Sequence, residues 1–184
     1  MKIYVMRHGQ TDWNLAGKAQ GRTDIELNDT GIEQARKAKE EINKCNIDLI
    51  FCSPLKRARK TAEIINEAIN CQIISDERII ERGFGNVEGK TDDEWKKIFG
   101  DNTHAISNYY LNFNEQNIES MRDICERVWD LLDEIKEKYK DEFSYEYLVG
   151  LLNSKVYYLL HMEGLVEQLM HILMELMKMD MFKV

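Results

Sequence analysis

The residues best suited to chemistry lie in one short segment near the start of the chain, Arg7-His8-Gly9. A neutral imidazole is a competent nucleophile at phosphorus, and the phosphohistidine that it forms divides one difficult displacement into two easier steps. Gly9 lets the backbone approach an oxyanion, because it carries no side chain. A histidine that merely caps a strand end is the alternative, so the interpretation of His8 depends on the residues expected around it.

Two arginines, Arg7 and Arg57, are candidates for binding a transferring phosphoryl group. A planar guanidinium fork matches the equatorial oxygens over which that group spreads its charge. Basic neighbours make a solvated helix face the alternative for Arg57. Its position in the first turn of a predicted helix favours anion binding, because helix N-termini attract negative charge.

A carboxyl group near that site could donate a proton to the leaving oxygen and then accept one from water. Glu81 is the candidate, in the glycine-rich segment 81–89, and Glu88 in the same segment competes with it. An exposed surface carboxylate is the ordinary alternative for either residue.

Four short apolar runs are typical of buried strands. They are Lys2 to Met6, Ile47 to Cys52, Gln72 to Ser75 and Val156 to Leu160. Four other segments carry helical periodicity or capping signals. The helices are expected to open with the capping-box sequence Thr30-Gly31-Ile32-Glu33, to begin at Ser53-Pro54, and to cover about Ile118 to Tyr139 and Leu165 to Met179.

Strands that alternate with helices predict a single layered α/β domain over residues 1–184, with a mostly parallel sheet. Ligands of such folds collect at the carboxyl ends of the strands. The candidate residues all follow predicted strands: Arg7, His8, Arg57, Glu81 and His161. We therefore expect them to form one site.

The composition is that of a globular protein that binds neither nucleic acid nor membranes. The 184 residues carry a net charge of −8, which argues against broad nucleic-acid binding. No run approaches the ~18 apolar residues needed to span a bilayer, and the N-terminus lacks the pattern of a signal peptide. The four cysteines show no paired metal-ligand spacing, so reduced thiols in a cytoplasmic protein are expected. No sequence feature indicates an oligomeric state.

Three ordered blocks of the sequence resemble the histidine phosphatase superfamily, which includes the cofactor-dependent phosphoglycerate mutases. They are Arg7-His8-Gly9-Gln10-Thr11 with its continuation through Asn14 to Gln20-Gly21, then Ser53 to Ala62, and Glu81 with Phe84 to Gly89. Glu119-Ser120, with Arg127 further on, also resembles the family's helix entry. The match covers about residues 1–140, and three ordered blocks are far more specific than Arg-His-Gly alone.

This resemblance implies a three-layer α/β/α fold like that of the phosphoglycerate mutases, and a role for each matched residue. His8 would carry the phosphoryl group, Arg7 and Arg57 would bind it, and Glu81 would be the proton donor. No metal or other cofactor is needed for this step in the family. Three further residues would line the pocket for the phosphate and for the rest of a small phosphorylated metabolite: Asn14, Gln20 and Gly21.

The chain departs from the family pattern over residues 141–184. The family carries a second histidine in a strand-Thr-His-Gly-Gly pattern, whereas Met162-Glu163 follows His161 here. Back-translation with codons that begin at the third base of each original codon permits the string ILLVTHGGVSRAINAYFNGI over Val156 to Leu176, which is the missing block. We therefore hypothesise a frameshift between about Asp141 and Val156, which leaves His161 almost in the place of the second histidine.

Three functions fit these residues. The first is hydrolysis of small phosphomonoesters through a phosphohistidine on His8, and the second is a mutase-type phosphoryl transfer with the same intermediate. Known mutases of this type carry a longer insertion after the Glu81 block, and only about Lys90 to Asn117 is available here, which favours hydrolysis. The third is a catalytically impaired phosphate-binding protein, as a result of the altered C-terminal region.

Overall fold

The computed structural model describes residues 2–42, 44–100, 113–139 and 146–150. Within these ranges the strands are β1 (Lys2–Met6), β2 (Leu49–Cys52), β3 (Gln72–Ser75) and β4 (Glu146–Gly150). The α-helices are α1 (Asp12–Leu15), α2 (Asp29–Ile42), α3 (Lys56–Ile69), α4 (Asp92–Phe99) and α5 (Met121–Lys138). Short 3-10 turns lie at Glu77–Ile79, Gly85–Val87 and Asn114–Gln116. None of the helices in the described ranges has the length and apolarity needed to cross a bilayer.

The four strands form one parallel sheet in the order β1-β4-β2-β3. The parallel α/β arrangement expected from the sequence is therefore confirmed. β4 lies between β1 and β2, and Gly150 at its end is opposite both Met6 and Cys52. The loops that follow β1 and β2 consequently begin at the same edge of the sheet, on either side of β4.

The strand bounds agree with the sequence in two cases and differ in two. β1 and β3 have the predicted bounds, whereas β2 begins at Leu49 instead of Ile47. β4 was not predicted, because its apolar run of Tyr147 to Val149 is too short to stand out. The predicted strand at Val156 to Leu160, His161 after it, and the predicted final helix all lie outside the described residues.

The start of α2 differs from the prediction by a short distance. The helix begins at Asp29, and Oδ1 of Asn28 accepts a hydrogen bond of 2.9 Å from the backbone nitrogen of Gly31. Asn28 therefore caps the helix, and the capping box predicted at Thr30 is wrong. Both residue types are good N-caps, so the local sequence alone could not decide between them.

The start of α3 depends on a distant residue. The prediction that this helix begins at Ser53-Pro54 is wrong, since it begins at Lys56 and the preceding residue makes no side-chain cap. Instead, Oδ1 of Asp24 accepts a hydrogen bond of 2.7 Å from the backbone nitrogen of Lys56. By contrast, α5 is capped locally, by a reciprocal capping box between Ser120 and Asp123.

Both faces of β2 are covered, as a layered fold requires. Ile50 and Cys52 belong to a buried cluster with residues of α2 and α3, including Ile42 and Ile65. Leu49 and Phe51 alternate with them along the strand, point to the opposite face, and are also buried. β2 is therefore a central strand, and the loop that follows it starts from a rigid base.

Candidate active site

His8 lies two residues beyond the end of β1. Its Nδ1 lies 2.7 Å from the carbonyl oxygen of Gly9, which can only accept, so Nδ1 carries the ring hydrogen. Its Nε2 accepts a hydrogen bond of 3.2 Å from Nε of Arg57. The lone pair of Nε2 is thus directed at the arginine that the sequence predicts to bind a phosphoryl group.

The surroundings of His8 keep its ring neutral. Burial is the main cause that lowers the pKa of His8 to about 3, and the charge of Arg57 acts in the same direction. The bond to the Gly9 oxygen opposes this shift, and the charge of Arg7 adds a smaller decrease. A protonated ring would have no lone pair on Nε2, so the lowered pKa preserves the nucleophilic form at neutral pH.

Arg57 is only 1% exposed, at the second position of α3, so a solvated helix face is the wrong interpretation of this residue. Its Nη2 and Nη1 donate to the carbonyl oxygens of Gly21 and Thr23, at 2.7 and 2.9 Å. Together with the bond to His8, these contacts engage three of the five N–H donors of a guanidinium. The positive charge of Arg57 is therefore fixed beside Nε2 of His8.

Thr61 and two glycines hold the His8 segment against the helices. The hydroxyl of Thr61 accepts from the backbone nitrogen of Gly9 at 3.1 Å and donates to the carbonyl oxygen of Arg57 at 2.8 Å. On its other side, Gly9 packs so closely on Gly31 of α2 that a Cβ on either glycine would overlap backbone atoms. This role of Thr61 was not predicted, although its spacing of four residues from Arg57 on one helix was an available signal.

The carboxyl group of Glu81 lies in surroundings that favour its protonated form. Burial is the main cause that raises the pKa of Glu81. The charges of Arg57 and Arg7 and a hydrogen bond of 2.9 Å from the backbone nitrogen of Arg82 to Oε1 oppose that shift. A carboxyl with a raised pKa can hold a proton closer to neutral pH, which is the property that a general acid needs.

Glu88, the competing candidate for the acid, joins two loops. Its Oε1 accepts from the backbone nitrogens of Arg22 and Phe84, at 2.9 and 3.0 Å. Its Oε2 accepts from the backbone nitrogen and from the hydroxyl of Thr23. Both carboxylate oxygens of Glu88 are therefore occupied by protein donors, whereas the raised pKa of Glu81 favours that residue as the candidate acid.

A cavity of about 430 Å³ opens beside His8. Its volume lies in the range of small-molecule sites. Of the residues predicted to form the site, Arg7, His8 and Asn14 line this cavity, and the side chains of α2 complete its wall. The cavity gives access to Arg7 and His8 from the side of α2, and Arg57 and Glu81 are not among its lining residues.

Gln20 and Gly21 shape the loop around the site. Gln20 is buried, and its Oε1 accepts a hydrogen bond of 2.7 Å from the hydroxyl of Thr11. The backbone nitrogen of Thr11 donates to Oδ1 of Asn14, and the Thr11 hydroxyl oxygen accepts from the backbone nitrogen of Asn14. Gly21 contributes the carbonyl oxygen that holds Arg57. Direct contact of these residues with a substrate stays a prediction.

Comparison with known proteins agrees with this geometry. The sequence profile described as the histidine phosphatase superfamily (branch 1) matches residues 3–149. This chain belongs to the histidine phosphatase superfamily. Among similar proteins, PhoE, an uncharacterized phosphatase of Bacillus subtilis, is 37% identical over 140 residues, which cover 76% of this chain and 67% of PhoE. The phosphoglycerate mutase-like protein 4 of Arabidopsis thaliana is 36% identical over 149 residues, which cover 77% of this chain and 63% of that protein.

Solved structures of superfamily members share the fold. The mycobacterial glucosyl-3-phosphoglycerate phosphatase superposes with a TM-score of 0.74 at 27% identity, over 82% of this chain and 73% of its own. The phosphoserine phosphatase of Entamoeba histolytica, solved with 3-phosphoglyceric acid, gives a TM-score of 0.66 at 32% identity, over 82% of this chain and 73% of its own. The chain is therefore an enzyme of the phosphatase class with a phosphoglycerate mutase-like α/β fold.

Proposed function

We propose that this phosphatase hydrolyses small phosphomonoesters through a phosphohistidine on Nε2 of His8. The observation that carries the proposal is the ring tautomer, in which Nδ1–H is bound to the Gly9 oxygen and the Nε2 lone pair faces Arg57. An imidazole held in this form can attack phosphorus without first losing a proton.

In the first step, the Nε hydrogen of Arg57 turns from Nε2 of His8 to a phosphoryl oxygen, the freed lone pair of Nε2 attacks phosphorus, and the ester P–O bond breaks. Glu81 gives its proton to the leaving oxygen, so the product departs as an alcohol. Arg57 and Arg7 stabilise the negative charge on the phosphoryl oxygens. The ring keeps its Nδ1 hydrogen on the Gly9 oxygen throughout.

In the second step, Glu81 is a carboxylate and takes a proton from the attacking water, whose oxygen bonds to phosphorus. The P–N bond breaks, and its electron pair returns to Nε2 of His8. Phosphate departs, and Glu81 is protonated again. The sum of the two steps converts an ester and water into an alcohol and phosphate.

Two observations support small phosphorylated metabolites as the substrate class, and the first is that the cavity of about 430 Å³ beside Arg7 and His8 has the volume of a small-molecule site. Two similar proteins are named for phosphatase activity on compounds of this kind, glucosyl-3-phosphoglycerate and phosphoserine. A mutase would pass the phosphoryl group from His8 to a second hydroxyl instead of water. The short segment between the Glu81 block and α5 favours water, because a larger insertion is what excludes it.

The direct test uses p-nitrophenyl phosphate and the purified chain. We expect release of phosphate, an acid-labile phosphoprotein in quenched samples, and loss of both with His8→Ala. Arg36→Gln is the matched control, because Arg36 is an exposed residue of α2 that forms an exposed ion pair with Glu33 at 3.7 Å. Undiminished hydrolysis by the His8→Ala protein contradicts the mechanism, and transfer to an added alcohol in place of phosphate release identifies a mutase.

A frame-corrected chain separates an impaired C-terminal region from a wrong mechanism. In the proposal, His161 stands almost where the family's second histidine stands, and Glu163 replaces a glycine beside it. A carboxylate at that position would repel a dianionic substrate. Higher activity of the corrected chain would assign the deficit to residues 141–184, equal activity would show that the change is harmless, and the underlying DNA sequence tests the frameshift itself.

A further inference from the structure

The two residues that flank Arg22 in the chain, Gly21 and Thr23, both contact Arg57. The carbonyl oxygens of Gly21 and Thr23 accept from Arg57, as described above. The backbone nitrogen of Arg22 donates to Oε1 of Glu88 at 2.9 Å, which fixes the main chain between those two oxygens. The backbone of Arg22 therefore belongs to the support of Arg57.

The side chain of Arg22 reaches a different loop, the one that carries Glu81. Its Nη2 donates to Oε1 of Glu119 at 2.8 Å, and its Nε donates to the carbonyl oxygen of Glu81 at 3.4 Å. The side chain of Arg22 is 46% exposed, whereas that of Glu119 is 12% exposed. The guanidinium thus spans two acceptors, the backbone oxygen of Glu81 and the carboxylate of Glu119.

Glu119 holds the Glu81 loop at three atoms. Its Oε2 accepts from the backbone nitrogen of Gly83 at 3.1 Å, and its own backbone nitrogen donates to the Gly83 oxygen at 2.8 Å. Its carbonyl oxygen accepts from Nε of Arg82 at 2.9 Å. Arg127 of α5 donates hydrogen bonds to both carboxylate oxygens of Glu119, at 2.9 and 3.1 Å. Glu119 is therefore a rigid anchor to which Arg22 connects.

We propose that Arg22 is a positioning residue that sets the place of the Glu81 carboxyl relative to the phosphoryl site between His8 and Arg57. Its main chain is fixed to the support of Arg57, and its side chain is fixed to the Glu81 oxygen and to Glu119. Arg22 thereby connects Arg57, which binds the phosphoryl group, to Glu81, which transfers the proton. The inference rests on the proposed function, because it assigns Arg22 a part in the proton-transfer step.

A role in stability alone gives a different expectation. Ion pairs as exposed as that of Arg22 contribute about 0–1 kcal/mol, so variants at this position should still fold. Lysine keeps the charge, but its single ammonium group cannot span the two acceptors as the planar fork does. Arg22→Gln and Arg22→Lys therefore separate geometry from charge.

The test compares kcat/KM for two esters that differ in their need for an acid. Nitrophenolate leaves without a proton, whereas the alkoxide of glycerol 2-phosphate needs one from Glu81. With the alkyl ester, we expect Arg22→Gln and Arg22→Lys to lower kcat/KM about 10- to 100-fold, because a displacement of about 1 Å at a catalytic group costs that much. With p-nitrophenyl phosphate, the loss should stay below about 3-fold. Glu81→Gln should show the same selectivity more strongly, and the control Arg36→Gln should change neither value.

Two outcomes of the ester comparison overturn the inference. An equal loss with both esters places the effect on His8 and Arg57, and full activity of Arg22→Lys shows that charge alone matters. If the wild-type chain cleaves neither ester, the proposed function fails, and positioning is then read from the pKa of Glu81 in a carboxyl ¹³C NMR titration. Arg22→Gln should lower that pKa towards the usual glutamate value as water reaches the carboxyl, and an unchanged pKa refutes the positioning role.

Discussion

Replacing His8 by asparagine should change how stability depends on pH. The pKa of His8 is about 3 in the folded protein and 6.5 for the unperturbed group. Between these values the unfolded chain binds a proton at His8 and the folded chain does not. The wild-type protein therefore loses stability as the pH falls from about 6.5 towards 3, and the group contributes nothing above that range. Asparagine does not titrate, while its amide can still donate to the Gly9 oxygen.

The expected magnitude follows from the same two pKa values. Each pH unit below 6.5 corresponds to about 1.4 kcal/mol, so lowering the pH from about 8 to about 4.5 should remove about 3 kcal/mol from the wild-type free energy of unfolding relative to His8→Asn. This figure hardly changes for any folded-state pKa below about 4, because only the unfolded histidine titrates in that interval. Opposing shifts, such as that of Glu81, are shared by the two proteins and cancel in the difference.

Urea unfolding of both proteins across this pH range measures the difference directly. The control Arg36→Gln should run parallel to the wild type, because it leaves His8 unchanged. A constant difference between wild type and His8→Asn, or one that grows as the pH rises, would refute an imidazole that stays neutral beside Arg57. Catalysis has a matching expectation: the nucleophile should stay competent at about pH 5, well below the usual histidine pKa.

Two further predictions concern the supports of the site. Gly31→Ala should lower the free energy of unfolding by about 2–3 kcal/mol, because the new methyl group would overlap the backbone of Gln10. Urea unfolding measures this change, and an unchanged stability would contradict the close packing. Asp24→Ala should cost about 1 kcal/mol by removing the cap of Lys56, whereas Asp24→Asn should cost much less; equal losses in the two variants would show that the capping bond does not matter.

Much of the site could be predicted because its main residues follow closely after apolar runs that indicate strands. Arg7 and His8 follow an apolar run that could only be a buried strand, and Arg57 follows another. In a parallel sheet those ends share an edge, so the contact between His8 and Arg57 was foreseeable from topology. The basic residues around Arg57 suggested an exposed helix face, whereas Arg57 itself is buried.

The remaining features depend on pairs of residues far apart in the chain. Asp24 caps a helix that begins 32 positions later, and Arg22 binds Glu119 97 positions away. Gly9, in the loop after β1, packs on Gly31 of α2, and no local spacing marks that contact. Such contacts are set by how the elements pack, and propensity and periodicity describe only the elements themselves.

The position of β4 has a consequence for how the protein folds. Glu146–Gly150 forms the strand between β1 and β2, so the centre of the sheet is made from the described strand that the ribosome produces last. Until it arrives, β1 lacks its partner and β2 has an open edge, and such edges invite aggregation. Pairing Lys2 with Glu146 also closes a loop of almost the whole described chain, which slows folding. We therefore expect the contact between His8 and Arg57 to form late, at the end of synthesis. Chains that stop before Glu146 should accumulate as insoluble protein.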